Sequence, residues 1–328
     1  MNKQYSHSLK LWAAGLLLTL GVGKSTHVQA QQDKMYSQYM FNMMALNPAY
    51  AGSRDVLSAT ALYRSQWVGL EGAPQTATFT MDMPLNRERV GIGLQLYNDR
   101  IGLYNETGAF FSYAFRIKLG QRSTLALGLQ AGVLGLKANL TDARLVPAGV
   151  SADPAFAQNI NKLLPNVGTG IYVSNDKSYL SISVPKLLKN RLTDYDSGTN
   201  RAVERRHAYA AAGFVVNLSS SLKLKPSMLV KYAEGSPLAF DGNLNLWIND
   251  RVAIGTSFRK NQFYSFTDYS NDAIVGLLEL QLSDQMRLGY AFDRTLNRLG
   301  LVAPNSHEIM LRYEFGFGKS KILTPRYF

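Results

Sequence analysis

The chain has 328 residues, a formal net charge of +12 and no cysteine. The lack of cysteine excludes a disulfide framework and any thiolate metal site. Its basic residues are spread through turns, loops and alternating segments, so they do not predict a nucleic-acid partner. We interpret them as side chains that face water and lipid phosphates at membrane surfaces.

The N-terminal thirty residues have the three parts of a secretory signal peptide. Lys3 and Lys10 supply the positive region, and residues 11–22 form a short apolar run. The small-residue sequence that ends at Ala30 is an acceptable cleavage site. We therefore predict a signal peptide over residues 1–30 and export from the cytoplasm. Because no cysteine follows Ala30, a lipoprotein anchor is excluded.

Residues 31–55 come before the first clear strand. Asn47–Gly52 has the composition of a turn. The alternating strands that follow, from Val56 on, predict a barrel over residues 56–317 and a periplasmic tail over residues 318–328. We predict that residues 31–55 lie in the periplasm or are tucked into the mouth of this barrel as a plug.

From Val56 to Phe315, apolar and polar side chains alternate in short runs. In one run, Leu125, Leu127 and Leu129 share a face. Alternation with period two is typical of strands that have one apolar face. About fourteen such runs occur, without a stretch of ~20 apolar residues that would predict a membrane helix. The fold class predicted is all-β: a transmembrane antiparallel β-barrel of an outer membrane.

Short and long links between these strands alternate, as expected of short periplasmic turns and long extracellular loops. A soluble β-sandwich, the main structural alternative, has no reason to place its tight turns at every second connection. Long loops are expected at residues 66–74, 137–165 and 185–206. An even strand count also predicts both ends of the chain in the periplasm.

The face predicted to line the lumen is rich in glycine, alanine and serine, which leaves room for a cavity or an inserted plug. Basic residues also alternate inward, and several acids share their face. The candidate lumen or partner contacts among these basic residues are Lys223, Lys225, Arg287 and Arg312, and Lys231 lies on the same face. One interpretation is that these charges pair across strands. The other is that they contact a passing or docked polypeptide.

The sequence offers no catalytic or metal-binding constellation. His307 and Glu308 lack the second histidine of a zinc motif, because Leu311 occupies its place. There is no Gly-x-Ser-x-Gly elbow and no separated acid/base pair of carboxylates. We therefore predict that the protein is not an enzyme, with no catalytic residues, no cofactor and no metal.

Several motifs, in order along the chain, resemble the PorP/SprF family of Bacteroidota. They are Gln38–Asn42, Asn47–Gly52, Arg64–Gly69 with Gly72–Pro74, Asn98–Gly102, Gly289–Asp293, Ser306–Ile309 and Tyr313–Phe315. The resemblance covers essentially the whole chain after residue 30. It implies an outer-membrane barrel of the type IX secretion system that assists export or surface attachment of large adhesins, including gliding adhesins.

The resemblance also implies partners. They are a secreted adhesin or its C-terminal sorting domain, periplasmic components of the secretion machine, and outer-membrane lipid. Trp67 is either a partner contact or a membrane-interface anchor. Two other functions remain open, a small-solute porin or transporter and a purely structural anchor with a blocked lumen.

Overall fold

The fold is known from a computed structural model. It describes residues 34–86, 88–142, 158–192, 203–260, 273–296, 298–302 and 305–316. The predicted signal peptide and the C-terminal tail lie outside the described residues. Among the residues described, no helix is long and apolar enough to cross a bilayer.

The chain forms a closed antiparallel barrel with fourteen spanning strands. The two-residue β9 pairs with β10 beyond Val215 and continues β8, so fifteen strand segments make fourteen passes. The segments are β1 Leu57–Ser65, β2 Gln75–Leu85, β3 Val90–Ile101, β4 Tyr104–Leu119, β5 Ser123–Ala138, β6 Ile160–Ser174, β7 Ser178–Val184, β8 His207–Phe214, β9 Val216–Asn217, β10 Leu222–Ala233, β11 Ala239–Ile248, β12 Val252–Lys260, β13 Ala273–Gln281, β14 Met286–Thr295 and β15 Asn305–Phe315.

The barrel closes where the first strand meets the last. β1 pairs with β15 over nine residues, from Leu57 opposite Phe315 to Ser65 opposite His307. Each strand pairs in antiparallel fashion with its neighbours around the ring, and β10 pairs with β11. Closure matters because an unpaired amide in hydrocarbon costs several kcal/mol, so an open sheet edge could not persist in lipid.

The predicted alternation of side chains is confirmed. Along β5, Leu127 and Leu129 face outward, while Ala126 and Gly128 face the lumen. Along β4, Phe111, Tyr113 and Phe115 all lie on the outer surface. An apolar outer band with aromatic residues near its edges is what a lipid-facing barrel wall requires.

The short turns lie at one end of the barrel, and most long connections lie at the other. We call these the periplasmic end and the outer end, following the rule for barrels of this type. One outer connection is short, because only Gly102 and Leu103 join β3 to β4. The predicted insertion at residues 137–165 was too long, since β5 runs to Ala138 and Ile160–Pro165 belongs to β6. Alternation continues through these residues but is masked by their polar composition.

Candidate functional site

Residues 34–55, called the plug from here on, fill the barrel lumen. Residues 36–52 are all buried. The plug folds into three 310 turns: Tyr39–Phe41, Met43–Ala45 and Pro48–Tyr50. The last turn is set locally, because the Asn47 side chain accepts a hydrogen bond of 2.8 Å from the Ala49 amide and Pro48 follows at the first helical position. An apolar segment without a sheet partner is thereby kept compact.

The small lumen residues predicted from the sequence form the seat of this plug. At each of five glycines, an added Cβ would overlap a plug residue. The pairs are Gly91 with Ala51, Gly93 with Met44, Gly128 with Ala49, Gly170 with Asn47 and Gly289 with Gln38. At Gly91 and Gly128 the overlap is with plug backbone, which cannot rotate away as a side chain can. The room left by these glycines is therefore occupied by the plug's own backbone and side chains.

The beginning of the plug is bonded to the outer half of the wall. The Ser37 and Gln38 amides donate to the two carboxylate oxygens of Glu308, at 2.9 and 2.8 Å. The Ser37 hydroxyl donates to Asp293 at 2.7 Å. All four residues are buried. Hydrogen bonds to a buried carboxylate are among the stronger ones, so this contact fixes the plug.

Two arginines neutralise these acids. Arg64 contacts Asp293 at 2.7 Å and Glu308 at 3.1 Å. Arg259 contacts Asp293 at 3.1 Å and Asp241 at 3.0 Å. Both guanidinium groups also donate to the Ser37 hydroxyl, at 2.7 and 3.0 Å. We call this set of two arginines and three acids the outer ionic cluster. The two guanidinium groups link five strands (β1, β11, β12, β14 and β15) and the plug, because the planar fork of an arginine can bond to several acceptors at once.

The middle of the plug is held by neutral side chains. Thr80 donates to the Asn42 side-chain oxygen at 2.8 Å. Asn47 donates to the Ser181 hydroxyl at 2.8 Å and to the Ile171 carbonyl at 2.9 Å. These bonds satisfy polar groups that would otherwise be buried without partners, at a cost of ~1–3 kcal/mol each.

The end of the plug is bonded to the periplasmic half of the wall. The Gly52 amide donates to Asp82 at 2.8 Å. Arg54 donates through Nε to Glu314 at 2.6 Å. The Glu314 carboxylate balances the charge of the Arg54 guanidinium, and an arginine side chain keeps its proton in proteins. Arg54 therefore stays charged inside the lumen.

A second arginine closes this end. Arg116 donates to the Gly52 carbonyl at 2.7 Å and to the Asp55 carboxylate at 2.8 Å. Together with Asp82, Arg54 and Glu314 these groups form what we call the periplasmic ionic cluster. The plug is thus bonded to the wall near both of its ends.

A small cavity lies beside the beginning of the plug. The Lys34 ammonium sits 3.4 Å from the centre of the Tyr97 ring and 2.9 Å from Glu106. Lys186 lies 3.4 Å from Glu106 and 3.3 Å from Glu204. Two lysines therefore meet two carboxylates here, and the local charge is balanced.

Two of the four predicted lumen lysines and arginines lie in the periplasmic half of β10. Lys223 forms an ion pair of 2.6 Å with Asp250 at the rim. Lys225 is fully buried, with its ammonium 5.3 Å from the Phe41 ring of the plug. Both side chains point inward, and Lys225 faces the plug rather than open water.

The other two lie on the last two strands. Arg287 forms an ion pair of 2.9 Å with Glu279 and lies 5.0 Å from the Trp247 ring. Arg312 donates through Nε to Thr60 at 3.2 Å. Both are buried. The structure therefore places these arginines within the filled lumen.

Trp67 lies apart from the lumen, in the outer loop between β1 and β2. It is half-buried, with a φ of 50°, and its amide donates to the Ser306 hydroxyl at 3.1 Å. The next amide, of Val68, donates to the Asn305 carbonyl at 2.9 Å. A non-glycine residue in the left-handed region is strained, and such strain is often found at functional sites.

Sequence reasoning missed the arginines that matter most for the plug. Arg64 and Arg259 occupy inward positions of β1 and β12, so the alternation could have identified them. Arg54 lies outside any strand, and nothing local marks it. In the described parts of the chain, no group of three or more His, Asp or Glu side chains is placed to hold a metal ion.

The family described as "Type IX secretion system membrane protein PorP/SprF" matches residues 28–313, which include the plug and almost the entire barrel. The chain belongs to the PorP/SprF family. A comparison of this PorP/SprF protein with curated proteins finds no match. Its membership places it among membrane proteins of type IX secretion.

Solved structures that resemble this PorP/SprF protein are outer-membrane barrels. The CymD monoaromatic hydrocarbon channel has a TM-score of 0.52 at 11% identity, with 90% of this chain and 96% of that chain covered. A Pseudomonas aeruginosa FadL homologue has a TM-score of 0.45 at 12% identity, covering 85% and 94%. Acinetobacter baumannii Omp33 has a TM-score of 0.41 at 9% identity, covering 79% and 96%. At these identities the likeness concerns the fold alone.

Proposed function

We propose that this PorP/SprF protein is an accessory barrel of type IX secretion that assists the export of a large adhesin or holds it at the cell surface. Family membership supports the secretion role. The observation that favours holding over solute transport is the plug. A lumen filled by residues 36–52 and bonded to the wall near both ends does not suit free diffusion of solutes.

The partner surface of this proposal is the outer end. Ion pairs occupy Lys223 and Arg287 inside the lumen, and Lys225 and Arg312 are buried beside the plug. A polypeptide at the cell surface would meet the outer loops first. Trp67 is held there in a strained conformation by its bond to Ser306. We therefore assign Trp67 to the adhesin contact and interpret Lys223 and Arg287 as charges paired within the barrel wall.

The test uses cells whose chromosomal copy is deleted and replaced by plasmid-borne variants. Surface adhesin is measured by protease treatment of intact cells followed by mass spectrometry, and uptake of small solutes is measured in parallel. We expect deletion to remove surface adhesin and leave uptake unchanged. Lost uptake with normal surface adhesin would instead support a transporter.

A matched pair of variants tests the contact surface. Trp67→Ala removes the indole at the outer end, while Arg122→Ala changes an exposed side chain in a short turn at the opposite end. We expect Trp67→Ala to reduce surface adhesin at least several-fold at equal barrel abundance, and Arg122→Ala to have no effect. Equal amounts of surface adhesin in both strains would show that Trp67 does not contact the adhesin.

A further inference from the structure

The plug crosses the barrel in one direction, and its hydrogen bonds to β2 show which direction this is. Successive plug residues hydrogen-bond to successive inward residues of this strand. The pairs are Tyr36 with Thr78 at 2.9 Å, Asn42 with Thr80 at 2.8 Å and Gly52 with Asp82 at 2.8 Å. Because β2 runs from its outer end at Gln75 to its periplasmic end at Leu85, the plug descends from the outer end to the periplasm.

Two other strands give the same direction. β3 runs the opposite way, and its contacts with the plug are accordingly reversed. From the periplasmic end, Gly91 meets Ala51, Gly93 meets Met44, Gln95 bonds to Ala45 and Tyr97 lies under Lys34. β15 begins at the outer end, where Glu308 binds Gln38, and continues to Glu314, which binds Arg54. Three strands thus agree on the orientation.

The first described residue therefore lies at the outer mouth. Lys34 contacts Glu106, two positions from the outer end of β4 at Tyr104. At the other end of the plug, the chain enters β1 at Leu57 on the periplasmic side. The two ends of the barrel sheet lie together in the periplasm, as an even strand count predicts. The chain before β1 departs from that prediction because it runs back through the lumen.

We propose that the N-terminal end of the plug opens to the extracellular mouth, so that the mature protein has its N-terminus on the outer side of the membrane. The length of the chain before Lys34 decides on which side of the membrane the N-terminus lies. If cleavage follows Ala30, three residues separate the new terminus from Lys34, and three residues span at most ~10 Å. A return to the periplasm would have to cover about 30 Å of hydrocarbon thickness.

This topology constrains the order of assembly. A leader still attached at residue 30 would have to follow the plug to the outer mouth, carrying its apolar run away from the inner membrane. Removal of the leader therefore precedes seating of the plug. The two ionic clusters can then form only after the leader has been removed.

The experiment uses single cysteines, for which the chain is suited because it contains none. Gln32→Cys probes the N-terminal end. Glu71→Cys, in the exposed outer loop, and Asp284→Cys, in a short turn, mark the two sides. Intact cells are treated with a membrane-impermeant maleimide before and after permeabilisation of the outer membrane. We expect Gln32→Cys to label in intact cells to the extent that Glu71→Cys does, with Asp284→Cys labelling only after permeabilisation.

A second variant covers the case of a shielded thiol. An eight-residue hydrophilic epitope inserted after Gln32 is long enough to leave the mouth, and antibody binding to intact cells reports its side. Labelling of the cysteine or the epitope only after permeabilisation would overturn the proposal, and so would failure of both to react on either side. The labelling result does not depend on the adhesin assay, so each of the two proposals is tested independently of the other.

Discussion

Arg54 of the plug and Glu314 of the last strand form a buried ion pair, with Nε and the carboxylate oxygen 2.6 Å apart. The pair joins a residue ahead of the first strand to the strand that closes the barrel. This ion pair therefore connects the plug directly to the strand that closes the barrel. Because each side chain neutralises the other in a site shielded from water, loss of one leaves an uncompensated buried charge.

Replacement of Arg54 by Met should lower the free energy of unfolding by about 3–5 kcal/mol, since Glu314 is left unpaired. The control is Lys118→Met. Lys118 forms an exposed pair of 3.4 Å with Glu88, and its loss should cost under ~1 kcal/mol. Urea unfolding in lipid vesicles measures both. Equal costs for the two variants would show that the lumen pair does not hold the structure together.

The outer ionic cluster should distinguish arginine from lysine. Arg64 bonds to three groups at once, and an ammonium cannot reproduce that fork. Arg64→Lys is expected to destabilise the barrel by about 1–3 kcal/mol, the cost of leaving buried acceptors unsatisfied. Arg122→Lys, in an exposed turn, should be neutral. If Arg64→Lys and the wild type unfold at the same urea concentration, the simultaneous bonding of Arg64 to three groups does not stabilise the barrel.

A side chain at Gly128 should displace the plug, because its Cβ would overlap the Ala49 backbone. Gly276, with nothing within 4 Å of its Cβ, offers a matched control. We expect trypsin to cut after Arg54 in Gly128→Val, where the plug has left its seat, and to spare that site in Gly276→Val. Mass spectrometry of vesicle-embedded protein identifies the cut. Protection of Arg54 in both variants would mean that the seat tolerates a side chain.

The lipid-facing wall should show a depth dependence. Leu129, with 63% of its surface exposed, lies in the middle of β5, and Leu119 lies at the periplasmic end of β4. Leu129→Arg should cost about 2–4 kcal/mol and Leu119→Arg about 0–1 kcal/mol. Unfolding in vesicles measures both. Similar costs at the two positions would contradict a membrane-embedded barrel.

The barrel was predictable because side chains alternate between the two faces of a strand, so local sequence shows which face each side chain occupies. Each inward or outward assignment needs only the residues beside it, and the runs from Leu57 to Phe315 provided them. Loop lengths were less reliable, since polar composition hid the strand at Ile160–Pro165. The link between β3 and β4 was also shorter than the rhythm suggested.

The plug contacts were less accessible to sequence reasoning. The glycines indicated space, but not which segment fills it. Ser37 and Asp293 are 256 positions apart, and no local pattern relates them. The choice among several inward acids depends on register around the whole ring. Arg54 could not be distinguished from an ordinary loop arginine until its partner on β15 was known.

The central claim is that the protein's own N-terminal segment occupies the lumen, and single-channel recording in planar lipid bilayers tests it most directly. The matched pair is the mature protein and a variant lacking residues 31–55. We expect no steady conductance from the mature protein and stable openings from the truncated one, once refolding of both is verified by heat-modifiable electrophoretic mobility. Steady porin-like conductance from the intact mature protein would contradict the account.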